Sequence, residues 1–290
     1  PWCSVKLVEL FKEAGVPKGV LNLVLGSGSA VGEALVKHPL VRGVSFTGST
    51  KTGGEINAQA GRRMVRTQLE MGGKNPAVVL SYADVASVAK QIAQAAFTTT
   101  GQRCTAVSRV IALQSVVAEL SEALVAELAQ ITVGPAWDTN SKMGPLVTDQ
   151  HRSSVLRNLA MALDQGARIR FGGRVFEDGA LARGNFLEPA LVENVSPDNL
   201  LAKQEVFGPV LSLITVRDMN QAMEVANSVE YGLAASVFTR DVDEALRFVR
   251  ESDTGMVHVN HGTNSEAHMP FGGVKGSGLG AYSIGLSNLE

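Results

Sequence analysis

Apolar residues along this chain fall into two alternating rhythms: short continuous runs, and longer stretches with apolar positions three and four apart. The alternation predicts an α/β protein. Residues 1–14 read as a helix, with Val5, Leu7, Val8, Leu10 and Phe11 apolar and a stop at Gly15-Val16-Pro17. Residues 20–25 form a short β-like run, followed by Gly26-Ser27-Gly28-Ser29-Ala30-Val31-Gly32 and a helical stretch at 33–37. Residues 41–46 are the next strand, Thr47-Gly48-Ser49 opens a helix through residue 60, and residues 64–70 are a third strand. That βαβ order implies a parallel sheet with helices over its faces. A second series follows Pro76, with strands at 76–80, 107–113, 168–171, 210–216, 234–238 and 256–260. Its helices fall at 84–97, 116–130, 148–165, 220–228 and 242–251. The two series meet near Met71-Gly72-Gly73, and no internal repeat or flexible linker interrupts them. That boundary sets Glu70 and the later Cys104 on opposite sides of an interdomain cleft, where catalytic sites are often found.

Candidate chemistry concentrates in a few segments. Thr99-Thr100-Gly101-Gln102-Arg103-Cys104 places a thiol just past a glycine at the end of a predicted helix. Backbone N–H groups at such a turn favour the thiolate, the nucleophilic form. A lone cysteine is more often a small buried hydrophobe, so Cys104 needs partners elsewhere. Glu70, in Gln68-Leu69-Glu70-Met71-Gly72-Gly73-Lys74-Asn75-Pro76, has apolar neighbours, which desolvate a carboxylate and make it a better general base. Glu205-Val206-Phe207-Gly208-Pro209 sets another acid beside an aromatic and a turn. Gly26, Gly28 and Gly32 miss the G-x-G-x-x-G spacing by one residue, so that loop alone is a weak nucleotide signal. A glycine turn before a helix, such as Gly48-Ser49, suits a phosphate, and Ser49 also fits as the N-cap of that helix.

Taken in order, Phe46-Thr47-Gly48-Ser49, Leu69-Glu70-Met71-Gly72-Gly73-Lys74, Gly101-Gln102-Arg103-Cys104, Glu205-Val206-Phe207-Gly208-Pro209 and Pro270-Phe271-Gly272-Gly273-Val274-Lys275-Gly276-Ser277-Gly278 resemble the aldehyde dehydrogenase superfamily over essentially the whole chain. The resemblance implies the later half of a Rossmann-like cofactor-binding domain (1–70). A catalytic domain with a mostly parallel sheet (71–270) and a C-terminal return segment (271–290) would follow. It further implies Cys104 as nucleophile and Glu70 as base for water and as an aid in deprotonating Cys104, with the Cys104 N–H as one oxyanion donor. Glu205 would hold the nicotinamide ribose, Phe207 would pack beside the nicotinamide, and Gly48, Ser49 and Gly72 would line the cofactor site. Lys74 reads as structural. NAD is the implied cofactor, with NADP left open because the residues that read the adenosine ribose would lie before Pro1. Acylating relatives that pass the thioester to coenzyme A typically lack the glutamate found here at Glu70, so a free carboxylate product is implied. Arg103 and the loop His261-Gly262-Thr263-Asn264-Ser265-Glu266-Ala267-His268 are similar to semialdehyde dehydrogenases, including those acting on 2-oxoglutarate semialdehyde. Arg103 and His261 are therefore substrate candidates, and a cation there suits a carboxylate-bearing aldehyde. A non-catalytic structural or redox-sensing member of the same fold is the rival reading. The second lacks a resolving cysteine near Cys104, since the only other cysteine is Cys3.

Composition adds limits. A net charge of −2 gives no electrostatic pull toward nucleic acid or an anionic membrane, and no apolar run approaches the roughly 20 residues a membrane span needs. His258, His261 and His268 fit no common zinc spacing, so no metal is expected. Two cysteines far apart suit a reducing compartment and a cytoplasmic location. Both ends read as cut: the first helix resembles one deep inside the family's cofactor domain, and Gly278-Leu279-Gly280-Ala281-Tyr282-Ser283-Ile284-Gly285 reads as loop. The full-length protein is expected to be a homodimer or homotetramer acting on a small-molecule aldehyde.

Overall fold

The apolar runs of the second series become a seven-stranded sheet in the computed structural model, which describes residues 2–282. Its strands, numbered along the whole chain, are β3 (Asn75–Val79), β4 (Val107–Leu113), β5 (Arg168–Phe171), β6 (Ala190–Glu193), β7 (Val210–Val216), β9 (Ala234–Phe238) and β10 (Met256–Val259). Their order is β10-β9-β3-β4-β7-β6-β5, and every pair is parallel except β5 with β6. Successive residues of a strand point to opposite faces, and here the two faces bury separate cores. Val78, Ile111 and Ile214 belong to the core that holds Val155 and Leu159 of α6 (Asp149–Asp164), Met223 of α8 (Met219–Asn227) and Phe248 of α9 (Val242–Glu251). Ala77, Val79, Val110, Ala112 and Leu213 belong to the other, with Val88 and Ile92 of α4 (Val85–Phe97) and Leu120, Leu124 and Leu128 of α5 (Val117–Leu128). Burial on both faces is why these strands read as continuous apolar runs rather than as an alternation.

Helix starts follow side-chain caps. Asp84 accepts from Ala86 N (3.0 Å), Thr148 from His151 N (3.1 Å), Asp218 from Gln221 N (2.9 Å) and Asp241 from Asp243 N (2.7 Å). Each cap satisfies a donor the helix itself leaves open, an effect of ~1 kcal/mol. Arg109 on β4 is fully buried and donates to carbonyls alone. Its Nε and Nη2 reach Lys74 O (3.0 and 2.7 Å), and Nη1 and Nη2 reach Val225 O and Ala226 O (both 2.9 Å) at the end of α8. Burial pulls its pKa down to about 9.

The described residues divide into two compact units, 2–46 with 51–68, and 47–50 with 69–282. The smaller carries α1 (Trp2–Glu13), α2 (Glu33–Lys37), most of β1 (Gly43–Thr47), of α3 (Thr50–Gly61) and of β2 (Arg66–Glu70). Arg63 ties it together through Val36 O (2.7 Å) and Val41 O (3.2 Å). Residues 20–25, expected as a strand, are irregular, and Val20, Leu21, Leu23, Val24 and Leu25 are exposed. A strand exists through its ladder, and no described strand pairs with this run.

Five helices and strands of the larger unit lie outside the sequence-based expectation. They are α7 (Leu200–Lys203), β8 (Tyr231–Gly232), β11 (Val274–Lys275) and β12 (Gly278–Leu279), along with strand β6. β11 pairs antiparallel with β8, and β12 pairs antiparallel with the end of β2, setting Gly278 opposite Glu70 and Leu279 opposite Leu69. The loop expected from residue 278 is thus a short strand at its start, while residues 283–285 of that expectation lie outside the described residues.

Candidate active site

The turn that leads into Cys104 is built from strained backbone. After α4, Thr99 (φ 56°), Thr100 (φ 62°) and Gly101 (φ 67°) are successively left-handed, a conformation that costs a non-glycine residue about 1–2 kcal/mol. Contacts around the turn offset that cost: Thr100 Oγ1 donates to Gly144 O (3.0 Å), Gln102 Nε2 to Pro145 O (3.2 Å), and Val147 N to Gln102 Oε1 (2.9 Å). A Cβ on Gly101 would overlap the Gly208 carbonyl, so glycine here lets the Glu205–Pro209 loop close on the turn.

Cys104 leaves this turn half-buried. The backbone N–H groups of Thr105 and of Cys104 itself favour its thiolate, and the charges of Glu205 and Glu70 oppose it. Burial is the largest influence and pushes the thiol above its ordinary value. The expected donors are therefore present, but desolvation and two like charges outweigh them.

Glu70 ends β2 and is buried, with its backbone held from two sides. Gly48 N donates to Glu70 O (3.1 Å), and Met71 N donates to Ser277 O (2.8 Å). Ser277 itself is buried and donates through Oγ to Gly72 O (2.6 Å) while accepting from Gly232 N (3.0 Å). Glu70 and Cys104 lie in the same unit rather than in different ones. Glu205 sets Oε1 2.9 Å from Gly73 N, and a Cβ on Gly72 would overlap its carboxylate. Burial raises the Glu205 pKa against the opposing Gly73 N–H and Lys74 charge. Lys74 is buried, and burial, then Arg109, pull its pKa down to about 7 while Glu205 pulls it up. Glu70, Glu205 and Cys104 thus form one electrostatic cluster.

The remaining candidates sit around it. Phe207, left-handed (φ 53°) and exposed, accepts at its carbonyl from His151 Nε2 (2.7 Å) and meets that ring edge-on, 6.3 Å between centroids. Arg103 Nη2 donates to Ala95 O of α4 (3.1 Å), while Nε is buried without a hydrogen bond. Burial lowers the Arg103 pKa, against the opposing influence of Cys104. His261 stacks on His258 (6.2 Å, 28°), with Nδ1 2.8 Å from Gly262 O. From the same loop it is Thr263, fully buried, that reaches the segment after Cys104, donating through Oγ1 to Thr105 O at 2.5 Å. Among the described residues no cluster of three His, Cys, Asp or Glu is arranged to hold a metal, and no helix is long and apolar enough to cross a membrane.

The smaller unit holds an open cleft. A cleft of about 740 Å³ is lined by Gly28, Gly32, Val36 and Ser45 and by one face of α3 at Thr52, Glu55, Ile56 and Gln59. At Gly28 and Gly32 open space stands where a Cβ would be. Gly48 and Ser49, exposed, precede the N-terminus of α3.

A mostly parallel α/β sheet carries a strained cysteine turn in one electrostatic cluster with a buried and a half-buried carboxylate. Residues 1–289 match the aldehyde dehydrogenase family, and the chain belongs to it. It is similar to an alpha-ketoglutaric semialdehyde dehydrogenase of Bacillus subtilis, 39% identical over 273 residues covering 94% of this chain and 56% of that protein. An alpha-ketoglutarate semialdehyde dehydrogenase of Haloferax volcanii is 42% identical over 278 residues, 96% of this chain and 57% of that one. A betaine aldehyde dehydrogenase from Staphylococcus aureus, solved with NAD+, superposes with a TM-score of 0.95 at 34% identity, over 99% of this chain and 57% of that one. The chain thus spans a little over half the length of these relatives.

Proposed function

We propose that the full-length protein oxidises an aldehyde to a carboxylic acid through a thioester on Cys104, with NAD or NADP as hydride acceptor. One observation carries this reading: the free, half-buried Cys104 follows a left-handed turn at Thr99, Thr100 and Gly101 and shares one electrostatic cluster with Glu70 and Glu205. Cys104 Sγ adds to the aldehyde carbonyl, and the new oxyanion is met by the Cys104 N–H. A bound nicotinamide supplies the acceptor that turns this adduct into an acyl group. Glu70 then takes a proton from the water that cleaves the thioester, releasing the acid and the thiol. Gly48, Ser49, Gly72, Glu205 and Phe207 serve the cofactor in this scheme, and residues 1–70 form part of its domain.

The two semialdehyde-dehydrogenase relatives make a carboxylate-bearing semialdehyde, such as that of 2-oxoglutarate, the preferred substrate class. Arg103 supports this, because its Nε is buried without a partner beside the thiol. The test is an absorbance assay of the full-length protein with NAD and with NADP against semialdehydes and neutral aldehydes of equal length. Failure to reduce either cofactor with any of them overturns the reading. Arg103→Ala is expected to lower kcat/KM for the carboxylate-bearing substrates about tenfold more than for the neutral ones, the loss of one charge-assisted contact. Equal losses would reduce Arg103 to a brace on α4.

A further inference from the structure

Three successive carbonyls just past the nucleophile are held by side chains rather than by a strand partner. Asn75 Nδ2 donates to Cys104 O (2.7 Å) and to Ala106 O (2.9 Å), and Thr263 Oγ1 donates to Thr105 O (2.5 Å). Asn75 is almost completely buried at the start of β3, and its Oδ1 accepts from Ala234 N (3.0 Å). That bond fixes which way the amide points, because a flipped amide would set its oxygen against two carbonyls and its NH₂ against an N–H. Gly73 makes room: a Cβ there would stand 2.6 Å from Cys104 O and 2.7 Å from Asn75 Oδ1.

A trans peptide is planar, with its C=O and N–H pointing opposite ways, so a hydrogen bond to one end sets the direction of the other. Cys104 lies between two such planes. The plane before it is set by backbone alone, since Ala106 N donates to Arg103 O (3.1 Å). The plane after it carries the Thr105 N–H, and it is Asn75 that holds its carbonyl. We propose that Asn75 is a positioning residue for the nucleophile: by holding the Cys104 carbonyl it fixes the Cys104–Thr105 peptide plane and aims the Thr105 N–H at Sγ. Accepting at the carbonyl also polarises that peptide, which strengthens its N–H as a donor. Thr263 holds the next carbonyl, on a different plane, and anchors the 261–268 loop without aiming a donor at the thiol. The proposal rests on the reading of Cys104 as nucleophile but not on aldehyde turnover.

The test reads the thiol directly. In the full-length protein, the rate of Cys104 alkylation by iodoacetamide, followed by peptide mass because Cys3 is also free, is measured against pH. The charged groups that act on the thiol, Glu205, Glu70 and Arg103, are unchanged throughout. Asn75→Ala is expected to raise the midpoint by about one pH unit, the tenfold that loss of one well-aimed donor to a thiolate brings. Thr263→Val is expected to leave it in place while raising KM. Should Asn75→Ala fail to fold by circular dichroism, Asn75→Ser, whose hydroxyl is too short to reach both carbonyls, is measured instead and expected to shift the same way. An unmoved midpoint in the folded Asn75 variant, or an equal shift in Thr263→Val, overturns the proposal. A shifted midpoint in a protein that oxidises no aldehyde would leave it standing and overturn the proposed function alone.

Discussion

Cys104→Ala in the full-length protein is expected to abolish aldehyde oxidation, a loss on the order of 10⁵-fold or more, while cofactor affinity stays within a few-fold of wild type. The size follows from the geometry. Cys104 is the only cysteine of the strained turn, and the chain's other cysteine, Cys3, is exposed on α1. The variant leaves the turn itself intact, because its conformation depends on Thr100, Gly101 and Gln102 rather than on the thiol. A normal circular dichroism spectrum and cofactor titration, together with lost turnover, are therefore the expected set. Cys3→Ala is expected to be silent. Dehydrogenase turnover by Cys104→Ala above about 1% of wild type would remove the covalent route, since a missing nucleophile normally costs far more than that.

Much of the scaffold around that thiol is written in the apolar pattern. Strands β4, β7 and β9 fall where their runs of Val, Ile, Leu, Ala and Phe place them, because both sheet faces are covered and few positions are polar. Where the pattern failed, a partner was missing or the element was too short. Residues 20–25 have a strand's composition without a strand beside them, and β12 is two residues of a glycine-rich segment with no period to read. The left-handed run at Thr99 and Thr100 is hidden for another reason. Only Gly101 advertises it, and the compensating contacts come from residues 144–147.

The site divides along the same line. Cys104, Glu70 and Glu205 stand out in the sequence through the motifs around them, and the structure gathers them into one electrostatic cluster. Asn75, Thr263 and Ser277 were not, because each acts on a backbone carbonyl 29, 158 and 205 residues away respectively. A buried hydrogen-bonding side chain leaves no periodicity behind. The one usable signal was their polarity in otherwise apolar or glycine-rich surroundings, Asn75 just ahead of Pro76-Ala77-Val78-Val79 above all.

Glu70→Gln is expected to separate the two halves of the reaction. Glutamine keeps the shape of the side chain and the backbone setting, since Gly48 N donates to the Glu70 carbonyl and β12 pairs with the Glu70 backbone, neither of which involves the carboxylate. It removes the ability to take a proton from water, which costs about 10²–10⁴-fold where a general base is needed. It also removes one of the two negative charges that raise the Cys104 thiol, so the thiol pKa is expected to fall and Cys104 to be more fully ionised at neutral pH. Acylation should then keep its rate while deacylation slows. The expected trace is a rapid first turnover of one reduced cofactor per site, followed by a steady state reduced about 10²–10⁴-fold, with acyl-Cys104 visible by intact mass in the slow phase. Added hydroxylamine, which attacks thioesters without a base, is expected to restore part of the steady-state rate. Loss of the burst would mean that Glu70 also deprotonates Cys104 before attack. An unchanged steady state, with no acyl-enzyme, would show that the water is activated elsewhere and would strip Glu70 of its role.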